Sequence, residues 1–334
     1  MVLEKGKENA ALEIPLKQAM EKVKLDEMLK DLFSASHRVL VALLNGLFGQ
    51  DFREEDVEIS LGATEFVTDS DALGIIRADM FFDVRGTGKP VCFHVEFQIL
   101  NDGSMVIRML QYGIQKAIEK LEVNGDVLVL PHQKVIFMEK NAAIPDKLRT
   151  LIVFPDGQEV NYEVEVMKYW EYSKEDLVEQ KLYPLIPLQL FKLRKDIRNA
   201  FHQRNQKKLD ELAVELAEIA SEVSHTTLEL FERDEIMGDD LHKMLVAINN
   251  LTEYLNRSYI HDPKLEEEVN TMTRTLYDPA VAAQAKAEGK EEGKEEAIIQ
   301  VALKMIAKGN DDESVHDMTD LPLETIKRLR NEEQ

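Results

Sequence analysis

The sequence predicts a mixed α/β core followed by an α-helical C-terminal region, and three observations predict it. Runs rich in β-branched and aromatic residues alternate with polar residues at several places between residues 57 and 172. A segment at 103–121 with apolar residues every three or four positions interrupts those runs. Beyond Pro187 the three-and-four spacing dominates. Helix, strands, helix and strands in that order indicate an α/β core.

The N-terminal half begins with a predicted helix over 16–48, where apolar residues recur at three and four positions until Gly49. The acidic run at 51–58 is predicted to be a solvated loop. Strands are then predicted over 57–67, 74–86 and 89–100. The last two strands form an antiparallel hairpin in this prediction, because their connection is rich in glycine.

The next predicted elements are a helix over 103–121 and strands over 132–140, 149–154 and 160–172. Leucine-rich spacing over 209–230 and 241–255, with a break at 237–240, predicts an αα-hairpin. A small-residue repeat, Ala285, Gly289, Gly293 and Ala297, predicts either a flexible spacer or a self-association helix. Two or three short amphipathic helices are predicted after it.

These elements divide the chain into four predicted regions. The first is a core at 1–155, and a strand-helix extension at 156–200 is predicted to pack on it. A helical hairpin region follows at 201–280. The last region, 281–334, is a Glu/Lys/Gly-rich helix or linker with short C-terminal helices.

Composition limits the classes of protein that the chain can be. The 41 basic and 63 acidic residues give a net charge of −22, the wrong sign for a protein that coats nucleic acid. A bound divalent metal and a local basic surface can offset that repulsion in an enzyme. The single cysteine, Cys92, forms no internal disulfide, and neither a signal segment nor an apolar run of roughly 18 residues is found. We therefore expect a cytoplasmic protein without membrane contact.

One predicted strand carries a polar face that could perform chemistry. Strand alternation places Cys92, His94, Glu96 and Gln98 on one side of the run VCFHVEFQI. Asp79 lies on the preceding strand of the hairpin, so the two carboxylates could share a divalent ion for phosphodiester hydrolysis. The same pattern also occurs on solvated antiparallel faces. His94 is either a metal or proton-transfer group or a hydrogen-bonded neighbour, and Cys92 is predicted to be a packing residue.

The run RADMFFDVRGTGKPVCFHVEFQILNDGSMVIRMLQYGIQKAIEK resembles the core of the recombination-promoting nuclease (Rpn)/putative transposase family, in the PD-(D/E)XK nuclease superfamily. The residues that carry the resemblance are Asp79, Glu96, Gln98, Arg108 and Tyr112. The stretch at 172–194, the helical hairpin and the Glu-Gly-Lys-rich tail are similar to long members of that family.

The resemblance implies a restriction-endonuclease-like fold for the core and Mg²⁺-dependent endonucleolytic cleavage of DNA, in recombination or transposition, with Mn²⁺ as a possible alternative. Asp79 and Glu96 would hold the metal. Gln98 would orient water or phosphate where the superfamily usually has lysine. Arg108 and Tyr112, four residues apart, would share one helix face toward the substrate. As an alternative, Arg108 pairs with an acidic residue of the sheet.

The first helix departs from the family pattern, which is Asp-x-x-Phe-Lys. This chain has Asp26-Glu27-Met28-Leu29-Lys30 there, so Asp26 and Asn45 are weak candidates for an additional acidic or polar contributor.

The predicted partners are DNA and a second copy of the chain. Cleavage of both strands calls for two active sites, and the helical C-terminal region is the predicted site of self-association. A rival prediction is a catalytically reduced interaction protein, favoured by the −22 charge, the missing lysine and the amphipathic hairpin. A DNA-binding regulator would need a basic face, and the C-terminal helices offer only Lys327, Arg328 and Arg330.

Overall fold

The computed structural model describes residues 28–62, 77–86, 89–99, 103–121, 125–277, 301, 304–306, 310–319, 321–322, 326–327 and 330, with the side chains of residues 77–79 and 317 left out of the description. The chain divides into two compact units at 1–275 and 276–334. The first unit is built on a six-stranded mixed sheet. The predicted α/β class is therefore confirmed.

The strands of the sheet are β1 (Val57–Leu61), β2 (Arg77–Gly86), β3 (Val91–Gln98), β4 (His132–Phe137), β5 (Lys147–Val153) and β6 (Glu159–Lys168). Their spatial order is β1-β2-β3-β4-β6-β5. Strand β4 runs parallel to β3 and to β6, and the other pairs are antiparallel. The predicted hairpin of β2 and β3 is confirmed. Because β6 lies between β4 and β5, the sheet extends beyond residue 155.

The helices that begin in the first unit are α1 (His37–Phe48), α2 (Met105–Glu119), α3 (Lys174–Glu179), α4 (Arg194–His202), α5 (Gln206–Glu232), α6 (Gly238–Leu255) and α7 (Pro263–Tyr277). Residues 28–33 are also helical. Short 3₁₀ segments lie at Glu54–Asp56 and Tyr169–Glu171, a longer one at Tyr183–Leu193, and a π-helical turn at Asn256–Ile260.

Helix α2 is the crossover between the parallel strands β3 and β4, and it covers one face of the sheet. Met105 and Met109 of this helix pack in a buried cluster with Val135 and Phe137 of β4. The helix therefore buries the side of β3 that carries the even-numbered polar residues, since paired positions on neighbouring strands share a face.

Aromatic side chains fill the opposite face. The rings of Phe93 and Phe48 lie 4.8 Å apart, and Phe52 packs edge-on against Phe93 at 5.9 Å. Phe33 from the helical turn at 28–33 contacts Phe97 at 5.1 Å. Both sides of β3 are thus covered by helical segments, as is typical of strands at the centre of an α/β sheet.

The predicted αα-hairpin is confirmed by α5 and α6. Leu209, Leu212, Leu216 and Leu230 are buried along the first helix, and Leu241, Leu245, Leu251 and Leu255 along the second. Tyr183–Leu193, which contains Pro187, is almost entirely buried and packs against both helices. Its apolar side chains join the helical hairpin to the rest of the first unit.

The predicted continuous helix over 16–48 is wrong within the described residues, and its part at 16–27 lies outside them. Residues 34–36 separate the helical turn at 28–33 from α1. The backbone N–H and hydroxyl of Ser36 donate to the carboxylate of Asp240, at 2.7 and 2.6 Å, which favours a break there. Gly49 ends α1 as predicted, with a left-handed φ of 62°.

The second unit contains α8 (Asp312–Thr319) and a small cluster of Ile306, Val315 and Ile326. Arg330 binds Asp312 at 2.8 Å and the carbonyl of Asn310 at 2.6 Å, so this cation has a structural partner. The repeat at 285–297 lies outside the described residues. Across the described parts of both units, no helix combines the length and apolar character needed to cross a membrane.

Candidate functional site

The register of β2 and β3 brings the two predicted metal-binding positions together. Position 79 pairs directly with position 96, position 77 with 98, and position 81 with 94. Directly opposed residues of an antiparallel pair lie about 5 Å apart at Cβ, close enough for two side chains to share a ligand. The side chain of Asp79 itself lies outside the described residues.

The predicted polar face of β3 is not solvated. His94, Glu96 and Gln98 are each 0% exposed, and Cys92 is 8% exposed. Alternation of the side chains is therefore present, but α2 covers the polar side as the aromatic cluster covers the apolar side. The interpretation of this strand as an ordinary solvated antiparallel face is excluded by this burial.

Glu96 is the most unusual side chain in this cluster. Neither carboxylate oxygen accepts a hydrogen bond from the described residues. Burial of an ionised carboxylate is unfavourable unless hydrogen bonds, an opposite charge or a metal ion compensates it. The described residues therefore leave the hydrogen-bonding capacity of this buried carboxyl group unused.

Arg108 provides the neighbouring positive charge from α2. Its Nη2 lies 3.9 Å from Oε1 of Glu96 and 3.4 Å from the sulfur of Met105. The guanidinium side chain is 11% exposed. Glu96 is therefore an acidic residue of the sheet with which Arg108 pairs, as the alternative prediction states.

Tyr112 lies one turn further along α2, on the same face. It packs in a buried cluster with Phe81 and Cys92, and its ring meets that of His94 edge-on at 6.0 Å. The helix spacing thus brings both Arg108 and Tyr112 to the polar face of β3. Tyr112 is only 3% exposed, so its ring acts as a wall of the site.

Gln98 lies at the end of β3. Neither its Oε1 nor its Nε2 has a hydrogen-bond partner among the described residues. It borders an apolar cavity of about 10 Å³, together with Phe97, Met138 and Leu188. This volume is at most that of one water molecule. A carboxamide group can donate to or accept from a ligand that reaches Glu96.

His94 is held by a network that the sequence did not reveal. Gln133 Nε2 donates to the carbonyl of Met109 at 2.8 Å and contacts His94 Nδ1 at 2.9 Å, while the Tyr162 hydroxyl donates to Gln133 Oε1. Because the carboxamide nitrogen only donates, Nδ1 accepts, and the neutral ring carries its proton on Nε2. Burial raises the pKa of Tyr162 well above its ordinary value, which keeps this hydroxyl a donor.

The network could not be found from the sequence because its members come from distant strands. Gln133 is on β4 and Tyr162 on β6. The remaining signal is the polar start of β4, HQK, in a strand that otherwise reads as buried. Phe81 stacks on the His94 ring at 4.1 Å between centroids and fixes its plane.

Lys116 is a second cation on the inner face of α2. Its side chain is 7% exposed, and its Nζ lies 3.2 Å from Glu119 and 5.3 Å from the centre of the Phe81 ring. No sequence pattern distinguishes this residue, since lysine on a helix is usually solvated.

The carboxylate of Asp83 and the thiol of Cys92 form a pair near the other end of the hairpin. Burial favours the neutral form of Asp83, but hydrogen bonds from Lys120 and Cys92 outweigh it and lower the pKa of the carboxyl. Burial first, and the hydrogen bond to Asp83 second, raise the pKa of the Cys92 thiol to about 12. Cys92 is therefore a protonated packing residue rather than a nucleophile.

The two weak first-helix candidates have different outcomes. Asp26 lies outside the described residues. The side-chain amide of Asn45 donates to the carbonyl of Phe52 at 2.9 Å, and its oxygen accepts from the Phe52 N–H at 2.9 Å. Both ends of this amide hold the turn after α1 in place, so Asn45 has a structural role.

The donor atoms of these residues decide whether a metal ion fits the site. Among the described residues, no three His, Cys, Asp or Glu side chains are grouped so that they could hold a metal. The oxygen donors among the described side chains are the carboxylate of Glu96 and the carbonyl oxygen of Gln98, and the register places position 79 opposite Glu96. Oxygen donors are the ligands that Mg²⁺ and Mn²⁺ prefer.

The fold and the site define an α/β protein with a six-stranded mixed sheet and a buried polar cluster beneath its crossover helix. Comparisons of this chain with family models, with curated proteins and with solved structures find no match.

Proposed function

We propose that this chain is a Mg²⁺-dependent DNA endonuclease with a restriction-endonuclease-like core, related to the recombination-promoting nuclease family. The observation that carries the proposal is Glu96: a fully buried carboxylate whose oxygens accept no hydrogen bond from the described residues, paired in register with Asp79. A cation between the two carboxylates would supply the compensation that burial demands.

Each residue of the cluster has a distinct part in this function. Asp79 and Glu96 would hold the metal. When bound, Mg²⁺ lowers the pKa of a coordinated water and offsets negative charge on the phosphate. The Gln98 carboxamide would orient a water or a phosphate oxygen by hydrogen bonding, but it cannot supply the positive charge of a lysine.

Arg108 and Tyr112 would shape the substrate side of the site. The guanidinium 3.9 Å from Glu96 holds positive charge beside the carboxylate and can bind a phosphate oxygen in two-pronged geometry. Tyr112 excludes water from the ring of His94, whose tautomer Gln133 fixes. Since the net charge of −22 opposes DNA binding overall, contact would depend on local cations and on the metal.

A second candidate function is favoured by the burial of the same residues. Glu96 and Gln98 are 0% exposed, so a phosphodiester reaches them only if covering groups move. A catalytically reduced protein that retains the fold and binds other proteins requires no such movement. In this alternative, Glu96 and Arg108 form a structural ion pair.

Nicking of supercoiled plasmid by the purified full chain tests the proposal. Wild-type protein is assayed with Mg²⁺, Mn²⁺, Ca²⁺ or EDTA, beside Glu96→Gln and a matched Glu58→Gln variant on exposed β1. Cleavage that requires Mg²⁺ or Mn²⁺, is lost in Glu96→Gln and is retained in Glu58→Gln supports the nuclease. Equal nicking by all three proteins indicates a contaminating nuclease, and absence of nicking in all three favours the interaction protein.

A further inference from the structure

The outer face of α2 is apolar although it faces solvent. Ile107 is 44% exposed, Ile114 39%, Ile118 56% and Leu121 38%. Leu110 lies between the first two and is half-buried. The inner face of the same helix is buried against the sheet. A helix that is apolar on both faces is normally covered on both.

These five aliphatic residues form a stripe with symmetric spacing. The stripe consists of Ile107, Leu110, Ile114, Ile118 and Leu121. The intervals between them are three, four, four and three residues, so the pattern reads the same in both directions about Ile114. Lys120 keeps a right-handed conformation, with φ −94° and ψ 0°, and the N–H of Leu121 donates to the carbonyl of Ile118. The backbone therefore continues as a helical turn to Leu121, which places this residue in line with the stripe.

A second apolar segment follows in the chain. Residues 127–130, VLVL, precede β4 in extended form, and Val127 and Val129 are 69% and 72% exposed. Five residues lie between Leu121 and Val127, so the two residues are at most about 20 Å apart. The exposed aliphatic surface of the stripe is on the order of 350 Å² and that of the segment is similar, so a contact that buries both would approach the roughly 800 Å² that one partner gives to a standard interface.

We propose that the stripe is the contact surface for a second copy of this chain, with two α2 helices antiparallel across a two-fold axis at Ile114. An isologous contact requires a surface that is complementary to itself under rotation. In an antiparallel pair centred on Ile114, Ile107 meets Leu121 of the second copy and Leu110 meets Ile118. The symmetric spacing provides that match.

Charge also favours this occupant. Two chains of net charge −22 repel each other, so a contact between copies forms where acidic residues are sparse. The exposed polar neighbours of the stripe are Gln111, Gln115, Glu119 and Lys120, which sum to no net charge. This location differs from the helical C-terminal region, where self-association was predicted from the sequence.

Sedimentation velocity of the full-length chain over a micromolar concentration series tests the contact. Wild-type protein is expected to approach twice the monomer mass of 38.3 kDa. Ile114→Lys is expected to weaken dimerisation by at least about tenfold, since it places two like charges at the axis. Val214→Lys, at a 60% exposed apolar residue of α5, is the control and should leave the mass unchanged.

Oxidative crosslinking provides a second measurement that does not depend on the folding of the lysine variant. Ile114→Cys places two thiols at the axis, whereas the native Cys92 is buried. A covalent dimer on a non-reducing gel, absent for Val214→Cys, supports the contact. Wild-type protein that stays monomeric, or a dimer that Ile114→Lys does not weaken and Ile114→Cys does not crosslink, overturns it. Neither measurement depends on DNA cleavage, so the dimer proposal can be contradicted without contradicting the nuclease proposal, and the reverse also holds.

Discussion

The guanidinium of Arg108 on α2 lies 3.9 Å from the carboxylate of Glu96 on β3, and both side chains are almost wholly buried. This distance is too long for a hydrogen bond but short enough for strong attraction in a low-dielectric interior. The pair therefore stabilises the charge of Glu96 without using the hydrogen-bonding capacity of its oxygens. The proposed metal site depends on that combination.

Removing Arg108 should expose the cost of burying Glu96. In EDTA, Arg108→Met is expected to lower the free energy of unfolding by about 3 kcal/mol, because the carboxylate loses its opposite charge. Adding Glu96→Gln to that variant is expected to recover part of the loss, because the uncompensated charge is then gone. Urea unfolding of the two single variants and the double variant gives the coupling. Strictly additive effects would show that the two groups do not interact.

The Gln133 network should contribute to stability in a defined order. Tyr162→Phe removes one hydroxyl and is expected to lower the free energy of unfolding by about 1 kcal/mol. Gln133→Leu leaves the Met109 carbonyl, His94 Nδ1 and the Tyr162 hydroxyl without this partner, and is expected to cost roughly 2 kcal/mol or more. Urea titrations of both variants check the order. A larger loss for Tyr162→Phe than for Gln133→Leu would contradict the network.

The lowered pKa of Asp83 predicts a pH dependence of stability. A carboxyl whose folded pKa lies below its unfolded value, about 3.9, stabilises the protein above that value and loses this contribution as pH falls through the folded pKa. Wild-type protein should therefore be more stable than Asp83→Asn at neutral pH, and the difference should shrink below about pH 4. Unfolding of both proteins across the acid range measures it. A difference that is constant with pH would rule out this titration.

The Cys92 thiol should be unreactive in the folded protein. With a pKa of about 12, it forms almost no thiolate at mildly alkaline pH. Alkylation by a maleimide is expected to be at least about a hundredfold slower in native protein than in urea, where an ordinary thiol pKa near 8.5 returns. A mass spectrum taken over the time course gives both rates. Comparable native and unfolded rates would show that the thiol is accessible and ionisable.

Local patterns were sufficient to predict most of the elements. The glycine-rich connection between β2 and β3 predicted their antiparallel pairing, and that pairing sets Asp79 opposite Glu96. The leucine spacing predicted α5 and α6, because helix periodicity is a property of the nearby sequence. These predictions required no knowledge of distant contacts.

Features set by distant residues were not predicted. Strand β6 inserts between β4 and β5, and a period of two residues identifies a strand without identifying its neighbours. The helix break at residues 34–36 depends on Asp240, which is 204 positions from Ser36. The burial of Glu96 depends on α2 crossing the polar face. For the same reason, Gln133 was missed as the partner of His94.

The most direct test of the central claim is calorimetric titration of the full chain with Mn²⁺ in the absence of DNA, for wild type, Glu96→Gln and Glu58→Gln. If Glu96 is buried in order to hold a metal ion, wild type and Glu58→Gln bind Mn²⁺ alike, and Glu96→Gln loses this binding while its unfolding in EDTA is no less cooperative. If all three proteins titrate identically, or none of them binds Mn²⁺, Glu96 is a structural partner of Arg108 and the metal-dependent nuclease is contradicted.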